Sequence, residues 1–339
     1  MRYDFVSDNT AGLAPEALDA LIKANDGGFV RSYGADPVSA RTADLIREKL
    51  EADAEIRFVF NGTAANALAL SMIAQPFEGV LTHGHAHVCT DEAGAPGLFG
   101  HGVGLIKLDG RSGRIEPHEI TAALAAPWAG YIQPPGALSV TQATEYGAVY
   151  TEEELRKLIE PCKLAGLKVH MDGARLANAV AGGFDPRDIP RLGVDVLVLG
   201  AAKAGAAGVE ALVVFDKSLS RHIDNRLKQA GQVGSKARFM AAPLLGLLES
   251  GAWEGHAAHA NRMAQRLAEA VRTRTPWLLA HPVQANLVFV SMPPEARERL
   301  GTLGWAAYEF SDGSTRFVCS WATTEAMVDE FAEALAKAV

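Results

Sequence analysis

Two charged residues in the middle of the chain each stand at the end of an apolar run. Asp172 lies in Val-His-Met-Asp-Gly-Ala-Arg, and Lys203 lies in Gly-Ala-Ala-Lys-Ala-Gly at the end of the next such run. An aldehyde cofactor needs an amine that holds it as a Schiff base, and a carboxylate beside its pyridine nitrogen keeps the ring protonated and electron-withdrawing. The pair therefore predicts a site for pyridoxal 5'-phosphate.

Lys203 has few polar neighbours in the sequence, since it lies between two alanines and near Gly200, Gly205 and Gly208. Partial burial in such a place favours the neutral, nucleophilic form of an amine. The alternative interpretation is a loop lysine that points into water. The other motifs of the chain favour the functional interpretation.

The segment Asn61-Gly-Thr-Ala-Ala-Asn66 follows a predicted strand and opens a predicted helix. The free amides at the start of a helix bind phosphate well, so Gly62 and Thr63, with the Thr63 hydroxyl, are candidate phosphate ligands. An ordinary strand-to-helix turn with a polar N-cap is the alternative.

Two arginines are candidates for binding a carboxylate. Arg175 follows Asp172 by three residues, where a strand gives way to a helix at the carboxyl edge of the sheet, and open α/β folds place ligands there. Arg316 interrupts a β-rich run near the end of the chain, and its guanidinium suits bidentate binding of a carboxylate. The alternatives are a structural Asp172–Arg175 ion pair and a solvent-facing Arg316 on an edge strand.

Three alternating histidines, His83, His85 and His87, come just after a predicted strand. Together with His170, Asp172 and a bridging Lys203 they would also suit a binuclear metal-dependent hydrolase built on a barrel, in which His83 and His85 bind the metal. A third interpretation is that one imidazole stacks on a cofactor ring while the others are exposed.

Composition excludes several classes of protein. The 339 residues are 48% hydrophobic with a formal net charge of -8, which predicts a soluble globular protein and no nucleic-acid partner. Three widely spaced cysteines, Cys89, Cys162 and Cys319, predict neither disulfides nor a zinc site. With no apolar leader or membrane-spanning run, we expect a cytoplasmic protein that does not contact membranes.

Short apolar runs alternate with longer, alanine-rich amphipathic segments, a pattern typical of a parallel sheet covered by helices. A capping box at Thr151 and Glu154 predicts the start of a helix that runs toward Lys163. From about Ser235 long helices and short strands predominate, so we expect a large domain over residues 1–238 and a small one over 239–339. Strands are predicted at 57–60, 79–82, 104–108, 167–171, 194–199 and 211–215, with further short strands near Val288 and Phe317.

Taken in chain order, these motifs resemble the threonine aldolase and β-eliminating lyase family, especially its low-specificity L-threonine aldolases. The resemblance implies the fold type I, aspartate aminotransferase-like α/β architecture: a large, mostly parallel-sheet domain and a smaller C-terminal α/β domain. The segments that carry it are Ser7-Asp8-Asn9, Tyr33-Gly-Ala-Asp-Pro37, Asn61 to Asn66, Ala86 to Ala95, Ser139 to Glu145 and His170 to Arg175.

The resemblance also implies roles for single residues. Lys203 matches the Schiff-base lysine, Asp172 the partner of the pyridinium, and His87 the histidine that stacks on the ring, which leaves His83 and His85 without a metal. Arg175 and Arg316 match arginines that bind the substrate carboxylate, Ser7 supports the same group, and Tyr33 is implied in substrate binding. The cofactor-binding residues also include Arg175, together with Lys228 and Arg238, which reach the cofactor across a subunit boundary in a homotetramer with shared active sites.

The implied reaction is the cleavage of L-threonine, L-allo-threonine or a related β-hydroxy-α-amino acid to glycine and an aldehyde. One departure from the family pattern stands beside Lys203, where Ala202 and Ala204 replace a Ser or Thr and, often, an Asn. Loss of one hydrogen bond to a charged group costs about 1.5 to 3 kcal/mol, so we expect weaker cofactor binding rather than none. A cofactor protein with another amino acid substrate, or without efficient turnover, is the alternative.

Overall fold

The computed structural model describes residues 1–339 and contains eleven strands and fourteen helices. The strands are β1 (Glu55–Val59), β2 (Gly79–His83), β3 (Gly104–Leu108), β4 (Pro135–Thr141), β5 (Lys168–Gly173), β6 (Val196–Leu199), β7 (Glu210–Val214), β8 (Leu278–Leu279), β9 (Leu287–Ser291), β10 (Tyr308–Glu309) and β11 (Thr315–Val318). The helices are α1 (Pro15–Asp26), α2 (Pro37–Leu50), α3 (Gly62–Ile73), α4 (His87–Thr90), α5 (Ala95–Phe99), α6 (Pro117–Ala125), α7 (Glu152–Leu164), α8 (Leu176–Ala181), α9 (Asp188–Arg191), α10 (Ile223–Gln229), α11 (Arg238–Ser250), α12 (Ala252–Arg274), α13 (Pro294–Thr302) and α14 (Glu325–Lys337).

Seven strands form the large sheet in the order β1-β7-β6-β5-β4-β2-β3. All neighbours pair in parallel except β7, which runs antiparallel to both β1 and β6. The carboxyl ends of six strands and the amino end of β7 therefore share one edge. The six strands predicted for this part of the chain are confirmed to within two residues at either end, and β4 is the seventh.

The start of helix α7 illustrates how local sequence fixes an element of this layer. The Thr151 side chain accepts a hydrogen bond from the Glu154 amide, and the Glu154 carboxylate accepts one from the Thr151 amide, which confirms the predicted capping box. Four residues on one face of the helix are buried against the sheet: Leu155, Leu158, Ile159 and Cys162. The helix leads directly into β5, the strand that ends at Asp172 and Gly173.

A four-stranded antiparallel sheet, in the order β10-β11-β9-β8, forms a second layer near the end of the chain. Its strands β9 and β11 confirm the strands predicted near Val288 and Phe317. Phe331 and Leu335 on α14 are fully buried beneath it. Phe5 from the start of the chain joins this core and stacks on Phe331 at 4.5 Å. No helix in the structure is both long enough and apolar enough to cross a bilayer.

Candidate active site

Three of the predicted site residues meet at the shared edge of the large sheet. Asp172 is near the end of β5, Lys203 lies in the 3-10 turn Ala202–Ala204 that follows β6, and His87 is the first residue of α4 after β2. The positive charge of Lys203 acts on both Asp172 and His87, which places the three side chains in one electrostatic neighbourhood. The parallel strands bring these residues together from distant parts of the chain.

Asp172 is 3% exposed and is held by two hydrogen bonds. Its Oδ1 accepts from the Ala174 amide at 2.9 Å, and its Oδ2 accepts from Asn66 Nδ2 at 2.9 Å. Burial acts to raise the pKa of this carboxyl, but the charge of Lys203 and the hydrogen bonds from the Ala174 amide and Asn66 outweigh it and lower the pKa below its usual value. Asp172 is therefore a fixed, ionised carboxylate, as the partner of a pyridinium must be.

Asn66 connects Asp172 to His87 through a second carboxylate. The Asn66 Nδ2 group also donates to Glu92 Oε1 at 2.8 Å, and His87 Nδ1 donates to the same oxygen at 2.8 Å. The hydrogen bond to Glu92 raises the pKa of His87, whereas burial raises the pKa of Glu92. We call Asp172, Asn66, Glu92, His87 and Lys203 the enclosed cluster.

The Lys203 amine forms no hydrogen bond or ion pair and is half-buried. The turn that carries it packs tightly on the end of β5, because a Cβ at Gly200 would lie 2.3 Å from the Ala174 carbonyl oxygen. Gly200 thus permits an approach of the two backbones that any side chain would block. An unpaired amine beside an ionised carboxylate matches the pair of groups predicted from sequence.

Arg175 does not pair with Asp172, so that structural alternative is wrong. Its Nε and Nη2 donate to Asp8 at 2.8 and 3.1 Å, and its Nη1 lies 3.6 Å from Glu145 Oε2. Burial acts to raise the pKa of Asp8, but the charge of Arg175 brings it down to about 2. This buried ion pair leaves Nη1 as the group of Arg175 with which a substrate could interact.

Arg316 has no hydrogen-bond or ion-pair partner, although it is partly buried. Its guanidinium lies 5.1 Å from the ring centre of Phe310, and burial together with the charge of Arg175 lowers its pKa. Strand β11 lies between β9 and β10, so Arg316 is not on an edge strand as the alternative supposed. Ser7 is partly buried, and its Oγ accepts from the Asn9 amide at 3.1 Å. Arg175 and Arg316 lie close together and Arg316 has no partner, which predicts a binding site for an anion.

The start of α3 retains unused donors, as the sequence predicted. Asn61 is the N-cap and accepts from the Ala64 amide at 2.9 Å, while the amides of Gly62 and Thr63 have no acceptor within the protein. Space around Gly62 is open, because a Cβ there would meet no atom within 4 Å. The polar N-cap of the alternative interpretation therefore coexists with two amides that are free to bind a phosphate.

The predicted metal alternative at His83 and His85 is not favoured by the geometry. The Nε2 of His83 is bound to the Gly110 carbonyl oxygen at 3.0 Å, and its Nδ1 accepts from the His85 amide at 3.1 Å. The Nδ1 of His85 is bound to Ser311 Oγ at 3.1 Å. No group of three His, Cys, Asp or Glu side chains is arranged to hold a metal ion.

Three predicted residues lie apart from the enclosed cluster. Tyr33 and Lys228 line a groove of about 740 Å³, and the Lys228 amine is 5.4 Å from the Tyr33 ring centre. Arg238 lies at the start of α11, beside the groove residue Ala237; its Nη1 donates to the Gly28 carbonyl at 3.0 Å, and its buried Nε has no partner. We call Tyr33, Lys228 and Arg238 the open flank. No member of the enclosed cluster lines this groove.

Sequence reasoning missed four polar groups: the Asn66 side chain and the carboxylates of Asp8, Glu145 and Glu210. The sequence motif assigns Asn66 only to the phosphate turn, yet a buried asparagine in an alanine-rich helix signals a hydrogen-bonding role. Glu210 opens a strand of buried apolar residues, which was the available signal for it. Asp8 and Glu145 gave no signal beyond their position in motifs.

The β-eliminating lyase family model matches residues 4–293 of the chain. The chain belongs to this family. Low specificity L-threonine aldolase of Pseudomonas sp. strain NCIMB 10558 is 45% identical over 331 residues, which cover 97% of this chain and 95% of the relative. The enzyme of the same name from Pseudomonas aeruginosa is 43% identical, with the same coverage of both chains.

The solved structures agree with this assignment. Leishmania major threonine aldolase superimposes with a TM-score of 0.91 and 29% identity, covering 98% of both chains. A Thermus thermophilus aspartate aminotransferase superimposes with a TM-score of 0.74 at 18% identity, covering 97% of this chain and 94% of that one, and shows the shared fold. The predicted aspartate aminotransferase-like α/β architecture is therefore confirmed, and the structure adds that the smaller sheet is antiparallel.

Proposed function

We propose that the chain is a pyridoxal phosphate-dependent carbon-carbon lyase that cleaves L-threonine, L-allo-threonine or a related β-hydroxy-α-amino acid to glycine and an aldehyde. The observation that carries the proposal is the enclosed cluster in a chain that is 45% identical to a low specificity L-threonine aldolase over nearly its whole length. Hydrolysis by a metal at His83 and His85 is not favoured, because hydrogen bonds occupy both ring nitrogens of His83 and Nδ1 of His85.

The residues present fit the cofactor at each of its functional groups. Lys203 offers an amine without a partner for the aldehyde, and Asp172 offers a buried, ionised carboxylate for the ring nitrogen. Gly62 and Thr63 offer free amides for the phosphate. When bound, pyridoxal phosphate supplies a ring that withdraws electrons from the bond being broken.

The chain's own residues position the substrate and move its proton. Arg316, which has no partner, binds the substrate carboxylate, supported by Nη1 of Arg175 and by Ser7. This anchoring selects the bond that breaks, because it fixes the orientation of the amino acid. His87, held by Glu92 at 2.8 Å, positions a water that accepts the proton of the β-hydroxyl group.

The open flank suggests that a second copy completes the site. We propose that Lys228 and Arg238 reach the cofactor region, and Tyr33 the substrate region, of a neighbouring chain in a homotetramer with shared active sites. Tyr33 is 59% exposed, Lys228 is exposed and Arg238 is partly exposed, so all three side chains can contact a neighbouring chain. We also propose a cytoplasmic location, since Cys89, Cys162 and Cys319 are all free.

The test is a substrate screen on the purified protein. We expect glycine and the matching aldehyde from L-threonine, L-allo-threonine and phenylserine, and a yellow colour that borohydride bleaches. The Lys203→Ala protein serves as the blank. Aldol cleavage by that variant at the wild-type rate, or hydrolytic activity that a chelator abolishes, would overturn the proposal.

A further inference from the structure

Glu210 is a buried carboxylate to which the proposed reaction gives no role. It is the first residue of β7, is 6% exposed, and forms no ion pair with an arginine or lysine. Because β7 runs antiparallel to its neighbours, its amino end lies at the same sheet edge as the carboxyl end of β6. Glu210 is therefore close to the turn that carries Lys203.

The hydrogen bonds of Glu210 go to the backbone of that turn. Its Oε2 accepts from the Ala201 amide at 2.5 Å, and the amides of Ala201 and Ala202 both favour the ionised carboxylate. Neither Ala202 nor Ala204, the two neighbours of Lys203, has a polar side chain that could fix the turn. The carboxylate of Glu210 supplies that polar contact from an adjacent strand.

Other parts of the protein hold the two ends of the turn through neutral groups. Trp253 Nε1 donates to the Gly200 carbonyl at 2.9 Å, and the Ala14 amide donates to the Gly205 carbonyl at 2.8 Å. Of the three groups that hold the backbone on either side of Lys203, Glu210 is therefore the one that carries a charge.

We propose that Glu210 is a positioning residue for Lys203, which fixes the backbone of the lysine turn and provides a negative charge that stabilises the protonated amine. The proposal rests on the proposed role of Lys203 in holding the cofactor. The polar contact that fixes the lysine turn therefore comes from Glu210 on β7 and not from the residues beside the lysine.

The choice of an acid at this position supports a role for the charge. A glutamine would also accept the hydrogen bond from the Ala201 amide, and burying a neutral amide costs less free energy than burying a carboxylate. Burial raises the pKa of Glu210 to about 7, and the charge of Lys203 lowers it in part. The carboxylate is therefore ionised across the alkaline range in which a lysine amine loses its proton.

Three further titratable groups act on Lys203, and the test must separate them from Glu210. They are Asp8 in the N-terminal 3-10 turn, His87 on α4 and Asp172 on β5, whose ionisation responds to the lysine charge. Each of them remains in place when only Glu210 is changed.

The experiment measures the binding of pyridoxal phosphate to the apoenzyme by absorbance, as a function of pH from about 6 to about 10. Glu210→Gln removes the charge and keeps an acceptor for the amides, while Glu210→Asp keeps the charge and shortens the side chain. We expect Gln to move the midpoint of the association-rate profile down by about 0.5 to 1 pH unit. We expect Asp to weaken cofactor affinity about tenfold with a smaller movement of the midpoint.

Glu55→Gln is the matched control, since Glu55 lies at the opposite end of the same β1–β7 ladder. This variant should bind the cofactor with the wild-type profile. An unchanged midpoint for Glu210→Gln, or the same movement in the Glu55→Gln control, would overturn the proposal. Cofactor binding is measured without an amino acid, so loss of threonine cleavage with an intact Glu210 effect would contradict the proposed function alone.

Discussion

The enclosed cluster and the open flank differ in how completely one chain satisfies their side chains. In the enclosed cluster, Asp172, Asn66, Glu92 and His87 are joined by hydrogen bonds of 2.8 to 2.9 Å. In the open flank, Tyr33 and Lys228 line a wide groove and face outward. The first region is preorganised by its own fold, whereas the second has donors and an aromatic surface that a further chain can use.

This difference separates two kinds of mutational effect. A change in the enclosed cluster should alter chemistry within the chain that carries it, because every partner belongs to the same chain. A change in the open flank should alter the site of another copy.

Asp172→Ala should lower the rate of threonine cleavage by about 10³-fold, because the ring nitrogen loses its charged partner in a buried site. The Asn66 amide also loses one of its two acceptors. Steady-state formation of aldehyde, corrected for bound cofactor, measures the effect. The control is Asp195→Asn, since Asp195 is a buried carboxylate beside Lys163 and belongs to neither region. An equal loss in both variants would show that stability, not chemistry, is responsible.

Mixing two inactive variants tests whether the open flank acts on another chain. Lys203→Ala and Lys228→Ala proteins, refolded together, should recover about a quarter of wild-type activity. Half of the two-chain pairs then contain one chain of each variant, and one of the two sites in such a pair has both an intact Lys203 and an intact Lys228. Activity is measured before and after mixing, alongside the mass of the oligomer. Recovery should be absent when Lys203→Ala is mixed with Asp172→Ala, because both changes lie in the same enclosed cluster. If Lys228→Ala alone remains fully active, Lys228 does not belong to the site.

Asn66→Ala should lower the rate about tenfold, because it removes the hydrogen bonds that the Asn66 amide donates to Asp172 and to Glu92 and leaves two buried carboxylates without the donor between them. The pKa of His87 depends on Glu92, so the acid limb of the pH-rate profile should move as well. Asn178→Ala is the comparison, since Asn178 makes its amide contact with Asn261, away from the cluster. A pH-rate profile of wild-type shape would limit Asn66 to a packing role.

The smallest effect expected is a pH-dependent change in stability for Glu210→Gln. A carboxyl whose folded pKa of about 7 lies above its usual 4.5 favours the folded state while protonated, and that advantage is lost as pH rises from about 4.5 through 7. The unfolding temperature of the Gln variant should therefore equal that of wild type near pH 4.5 and exceed it by a few degrees near pH 8. A constant difference at all pH values would contradict the raised pKa.

Much of the fold was predictable because its signals are local. The periodicity of apolar residues placed six strands, and the capping box at Thr151 gave the start of α7. Strand β4 escaped the apolar pattern, because it begins with Pro135 and Gly136 and continues through Ser139. The proposed domain division after residue 238 stays a prediction.

The site was predictable where sequence rules determine position, as at Asp172 and Lys203 beside strand ends. The pairing of Arg175 with Asp8 was not, since the two residues are separated by 167 positions and only the folded chain brings them together. Glu210 was missed because the strand-end rule considers carboxyl ends, and β7 presents its amino end.

The antiparallel pairing of β6 and β7 also bears on the order in which the site assembles. Glu210 and Ala201 are only nine residues apart, so closing this loop costs far less chain entropy than joining Val318 to Phe5 at the other end of the molecule. We expect the lysine turn to form early as a local hairpin, before the two sheets dock. Pulsed hydrogen exchange during refolding of the apoprotein should protect the Ala201 amide earlier than the Val318 amide.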